Sequence, residues 1–117
     1  ILHDDSIGIT ATTVRVPGYY GHSESINVET KKPCEIEDVK DLFNHTPGCV
    51  LRDDPKNNVY PLARDAEGTN DVYVGRIRRD DSAENALNLW CVADNIRKGA
   101  AANVVQIAFS LIDQGIL

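Results

Sequence analysis

No stretch of about 18 consecutive apolar residues occurs in the 117-residue chain, so no helical membrane span is expected. No secretory leader pattern is visible at its start. Cysteine is sparse: Cys34, Cys49 and Cys91 are odd in number and form no CxxC pair, which predicts a reduced, cytoplasmic setting. Basic charge is outweighed, with 12 Lys and Arg against 18 Asp and Glu, for a formal net charge of −6. A general nucleic-acid or acidic-membrane surface needs clustered basic charge and is not expected; small anions remain open, because one or two local arginines suffice for them. There is no GxGxxG or GxxxxGK loop, so no recognisable nucleotide cradle lies in this chain. No serine, threonine or cysteine stands in a nucleophile context such as GxSxG. His3, His22 and His45 do not fall at metal-ligand spacing with each other or with the cysteines, and no metal is expected. The first residue is Ile1 rather than methionine, and the abrupt opening predicts a segment of something longer.

The length fits one domain able to bury its own core. β-Branched residues crowd positions 7–17 (IGITATTVRVP) and predict a strand that Pro17-Gly18 ends. Positions 22–30 alternate, with His22, Glu24, Ile26 and Val28 on one face, and predict a second strand. Ile36, Val39, Leu42 and Phe43 recur at helical spacing behind the acids Glu35, Glu37 and Asp38. They predict an amphipathic helix over 33–46, stopped by Pro47-Gly48. A short strand is expected at 49–53, a long surface loop over 53–71 with a brief extended piece near Val59-Tyr60, and a strand over 71–80. Positions 85–95 are apolar through Leu89-Trp90-Cys91-Val92-Ala93 and predict a central strand.

The last segment, 95–115, predicts a helix whose apolar residues cover most of its circumference. A single sheet covers only about one side of a helix, so this helix is expected to need a neighbour beyond the sheet. The order predicts an α+β domain: a mixed, largely antiparallel sheet with helices packed on one face.

Arg15 and His22 are the residues with chemical promise. Arginine offers a planar fork for a carboxylate. Histidine takes and returns a proton near neutral pH. Residues seven apart on a regular strand face opposite ways, and Pro17-Gly18 and Gly21 could reset that parity. From the residues alone the pair is either a decorated strand connection or half of an active site. Arg76, Arg78 and Arg79 read as a solvated edge strand, with an anion or subunit contact as the alternative.

The stretch TATTVRVPGYYGHSESINVET resembles the segment of aspartate-semialdehyde dehydrogenases that carries their catalytic histidine. VYVGRIRRD and LNLWCVADNIRKGAAANVVQIA follow in the family's order and spacing, and the resemblance runs from about Asp5 to Leu111. HSES after the arginine is most like the Gram-positive and archaeal-like branch. The resemblance implies an enzyme that reduces 4-aspartyl phosphate to L-aspartate 4-semialdehyde with NADPH, early in lysine, threonine and methionine biosynthesis. It implies that His22 is the acid/base, Arg15 the clamp on the substrate carboxylate and Asn95 a contact to the nicotinamide nucleotide.

The family's nucleophilic cysteine, its Gly-rich loop and its phosphate-binding residues have no counterpart here. The chain therefore resembles the C-terminal catalytic and dimerisation domain alone: a homodimeric unit, silent in isolation, whose last helix packs on an N-terminal Rossmann domain. Two alternatives stand beside it. One is a relative that keeps the fold and dimerisation but has lost the chemistry. The other is a binding module built on the 53–71 loop and the last helix.

Overall fold

The computed structural model describes residues 3–117; Ile1 and Leu2, where the sequence starts without a methionine, lie outside the described residues. Four strands form one sheet in the order β1-β4-β3-β2. They are β1 (His22–Glu29), β2 (Cys49–Leu51), β3 (Val72–Arg79) and β4 (Ala86–Ala93). β4 is central and pairs antiparallel with β1 and with β3, while β2 joins β3 in parallel. The mixed, largely antiparallel sheet is the one its sequence predicts. β4 lies inside because it is apolar on both faces: Leu87 and Leu89 on one, Ala86 and Val92 on the other, all buried. Leu87, Leu89 and Val92 each contribute roughly 1.5–3 kcal/mol by leaving water.

Helix α1 (Ile36–His45) packs on the first of these faces. Its Ile36, Val39 and Phe43 sit against the core of Val74, Ile77, Leu87 and Leu89. Leu42, expected in the same stripe, is exposed instead. Glu37 and Asp38 occupy the first turn, favourably for the helix dipole. Beyond the helix, Gly48 takes φ +78°, a conformation costly for other residues, and the chain enters β2.

Residues 7–17 do not form the expected strand; they run as exposed coil, with Ile9, Val14 and Val16 facing solvent. β-Branched composition favours a strand only where a neighbour supplies hydrogen bonds and a surface to pack on, and no strand among the described residues pairs with the segment. The sheet thus has four strands where the sequence suggested five.

The 53–71 connection is more structured than a surface loop. It holds a 3₁₀ turn at Pro55–Asn57, an Asp54–Val59 bridge and the single-turn helix α2 (Ala63–Ala66). Pro61 and Ala66 are fully buried and anchor it.

β3 carries a bulge. Gly75 pairs with Trp90 and Arg78 with Asn88, so Arg76 and Ile77 together oppose Leu89. The reason lies in the core: Val74 and Ile77 belong to the same buried cluster, yet an odd spacing on a regular strand would put them on opposite faces. One extra residue restores Ile77 to the core. Arg76 absorbs the change at φ 56°, and its N–H donates to Asp53 Oδ1 at 2.8 Å. The Asp53 side chain is only 1% exposed and lies 3.5 Å from Lys40 Nζ.

The last helix begins with a π-helical turn, Arg97–Ala101, and continues as α3 (Ala102–Asp113). Its side toward the domain carries Asn103 and Gln106, the latter bonded to Lys98 near Gly48. Val104, Val105, Ile107, Phe109 and Ile112 are each more than half exposed.

Candidate active site

His22 is the first residue of β1, and Gly21 sets it there. Gly21 has φ +80°, and a Cβ at this position would lie 3.1 Å from the Ala93 carbonyl oxygen and 3.7 Å from Ala63. Only glycine lets the chain turn so close over β4. His22 then pairs with Ala93, and Glu24 with Cys91, on the same face of the sheet. The two side chains line a shallow hollow of about 130 Å³ with Val72, Cys91, Val92 and Ala93. His22 is exposed.

Asn95 lies two residues beyond Ala93, so the β1–β4 register places His22 and Asn95 at one end of the sheet. Asn95 is half-buried at the corner where β4 turns into the last helix. Arg15 is elsewhere. It sits in the exposed coil and does not line the hollow around His22. Pro17-Gly18 forms a tight turn, with Gly18 N–H donating to the Val16 carbonyl at 2.8 Å. Within this chain the turn does not bring the two side chains into one cleft.

The corner itself is held by a residue that the motif reading passed over. Asp94 is 5% exposed, the one charged residue in the buried set among the described residues. Its Oδ2 accepts from Gly68 N–H at 2.9 Å, and its Oδ1 accepts from Ile96 N–H at 3.0 Å and Arg97 N–H at 3.3 Å. These bonds, first that from Gly68, hold its carboxyl below the ordinary carboxylate value. A depressed carboxylate stabilises the fold above its unfolded pKa and loses that contribution as pH falls through the folded one, so the clamp is fully engaged at neutral pH. Aspartate directly before a helix is a recognisable capping signal; the bond to Gly68, 26 residues away, has no sequence signature.

Two of the three thiols, Cys91 and Cys49, are poor candidates for an attacking group. Burial pushes Cys91 up to about 11, with the nearby Glu24 carboxylate adding to the effect. Cys49 is also raised by burial, opposed by the Lys98 ammonium, a basic partner that only the fold brings near. A thiol raised in this way holds little thiolate at neutral pH.

The opposite face of the sheet carries a larger concavity of about 490 Å³. Trp90 is in its wall, with Ser23 and Ser25 of β1, Arg76 and Arg78 of β3, and the Tyr60–Ala63 segment around it. The two arginines therefore border one concavity, as a shared face predicts.

Comparison with known proteins gives these features their context. The family model described as "Semialdehyde dehydrogenase, dimerisation domain" matches residues 1–98. The chain is 50% identical over 117 residues to aspartate-semialdehyde dehydrogenase of Aquifex aeolicus (strain VF5), covering all of this chain and 34% of that relative. It is 52% identical over 113 residues to the enzyme of that name from Shewanella violacea, covering 96% of this chain and 33% of the relative. With the Bacillus subtilis (strain 168) enzyme it shares 48% over 112 residues, 95% of this chain and 32% of the relative. Identities this similar do not single out the Gram-positive branch. The crystal structure of aspartate semialdehyde dehydrogenase II from Vibrio cholerae superposes with a TM-score of 0.75 at 47% identity, over 85% of this chain and 29% of that one. A second structure of that enzyme is described as complexed with ASA. The chain spans about a third of the length of the curated relatives it matches. With a family match over residues 1–98 and a backbone that superposes on a solved member at a TM-score of 0.75, this chain belongs to the semialdehyde dehydrogenase family and comprises its dimerisation domain.

Proposed function

We propose that this chain is one wall of the active site of an aspartate-semialdehyde dehydrogenase, acting within a homodimer on 4-aspartyl phosphate. The observation that carries the reading is the β1–β4 register, which sets His22 opposite Ala93 and so at the same end of the sheet as Asn95. In the reductive direction a thiolate displaces phosphate from the acyl carbon, and reduction of the resulting thioester releases the aldehyde. NADPH, when bound, supplies the hydride. His22 takes the proton from the thiol before attack and returns one when the hemithioacetal collapses. Asn95 holds the nicotinamide end of the nucleotide in place. Arg15 reaches the substrate's α-carboxylate once the 7–17 coil is ordered against the remainder of the protein. The thiols of Cys49 and Cys91, raised by burial, support a reading in which the nucleophile lies outside this chain. The apolar outer side of α3 fits a helix that packs on the Rossmann domain of the whole protein.

Two outcomes test this. The isolated chain is expected to give no turnover with phosphate, aspartate semialdehyde and NADP, whereas the full-length protein turns over. Turnover by the isolated chain would mean the nucleophile is here after all. In the full-length protein, Arg15→Lys removes the bidentate fork but keeps the charge. It is expected to raise KM for the semialdehyde about tenfold with a smaller change in kcat, and an unchanged KM removes Arg15 from the substrate site.

A further inference from the structure

We propose that Asp94 is a positioning residue for this reaction, holding the β4–α3 corner so that Asn95 stays at the end of the sheet where His22 works; this rests on the reading of Asn95 given above. Helix capping alone does not account for Asp94. The local donors, Ile96 N–H and Arg97 N–H, are both served by Oδ1, and serine or asparagine would satisfy them equally. The second oxygen goes to Gly68, far away in sequence. At this side-chain length aspartate alone offers two acceptor oxygens.

The turn it grips is fixed in turn. Ala66 is fully buried, and its carbonyl accepts from both the N–H and the hydroxyl of Thr69, at 3.1 and 2.8 Å. Arg97 Nη1 adds a second link across the corner, to Asn70 Oδ1 at 3.3 Å. Lys98 N–H, donating to the Asp94 carbonyl at 2.7 Å, starts the helical ladder. The same small segment guards the approach to His22, because Gly21 passes over Ala63 and the Ala93 carbonyl. The 63–69 segment thus lies beside the chain just before His22, where a Cβ on Gly21 would stand 3.7 Å from Ala63, and bonds to the chain just before Asn95 through Asp94. A π-helical turn follows immediately, a geometry common beside functional sites.

The test uses the full-length enzyme, with NADP as the varied substrate in phosphate-dependent oxidation of aspartate semialdehyde. Asp94→Asn keeps the cap and turns an N–H₂ toward Gly68 N–H; Asp94→Ser keeps the cap and leaves the long-range bond unmade. Both are expected to raise KM for NADP roughly tenfold while the fraction of folded dimer, read by circular dichroism and sizing, stays at the wild-type level. If Asp94→Asn does not fold, Asp94→Ser carries the same comparison. In the Asn95→Ala background, where KM for NADP is itself expected to rise, Asp94→Ser should add little, because both residues act through one contact. Full additivity of the two effects, or an activity loss that only tracks unfolded protein, overturns the proposal and leaves Asn95's role standing. An unchanged KM for NADP in Asn95→Ala overturns the reading of Asn95 and the proposal with it.

Discussion

Replacing His22 by alanine in the full-length enzyme is expected to lower kcat on the order of 100-fold or more, the range lost when a general acid/base is removed. The expectation rests on position. His22 opens β1 at a rim set by a left-handed Gly21, exposed to whatever occupies the hollow beside Glu24 and Cys91. No other described histidine has such a place: His45 ends α1, where its Nδ1 lies 2.8 Å from the Asp41 carbonyl oxygen, and His3 lies in exposed coil. Because the lost interaction is a proton transfer, kcat and kcat/KM should fall together while KM for NADP moves little. Steady-state kinetics in both directions check this. A kcat within threefold of wild type would assign the proton transfer to another group.

The second large effect is structural. Gly75→Ala is expected to destabilise the domain by about 3 kcal/mol or more, at the upper end of what overpacking costs. A Cβ at Gly75 would run into the Arg52 carbonyl oxygen and approach Pro61 Cδ at 2.7 Å and the Arg52 carbonyl carbon at 3.0 Å. Neither obstacle gives way easily. Arg52 N–H is bonded to the Val74 carbonyl at 2.8 Å, which ties that backbone to β3, and Pro61 is a rigid ring buried in the core. Against a typical net stability of roughly 5–15 kcal/mol, the melting temperature should drop by about 10 °C. Gly99→Ala is the control: its Cβ would make only an ordinary contact, 3.8 Å from Asn95 Cβ, and thermal stability should be kept. Thermal unfolding followed by circular dichroism decides, and a Gly75→Ala melting temperature within about 2 °C of wild type would contradict the packing argument.

These two glycines also mark where sequence reading stops. β4 and α1 are legible because burial on both faces, or on one stripe, leaves an unambiguous hydrophobic pattern. β1 is legible from its alternation. The 7–17 segment misleads, since its β-branched residues register propensity while strand formation depends on a partner. The β3 bulge is hidden because nothing in VYVGRIRR marks where the parity changes; only the packing of Val74 and Ile77 into one core requires it.

Arg15 and His22 stand out by residue type around a Pro-Gly break, but their roles, and Asn95 altogether, come only through likeness to a family. What the fold adds is register: no local pattern says that His22 faces Ala93, and therefore none says that Asn95 lies at the same end of the sheet. The clamp from Asp94 to Gly68 is invisible for the same reason, since it joins residues that meet only after β4 and the 66–69 turn are in place.

A twelve-residue helix is marginal on its own in water, and α3 spends most of its apolar surface outward rather than on its own sheet. Its order is therefore set by something other than local propensity. The sheet with α1 can form as one cooperative unit, while α3, anchored at its Asp94 end, becomes a second unit whose stability depends on the surface it meets. Covering of its outer side and consolidation of this helix are then one thermodynamic event. A substitution on the outer side of α3, such as at Phe109, would act on that contact and leave the sheet itself intact.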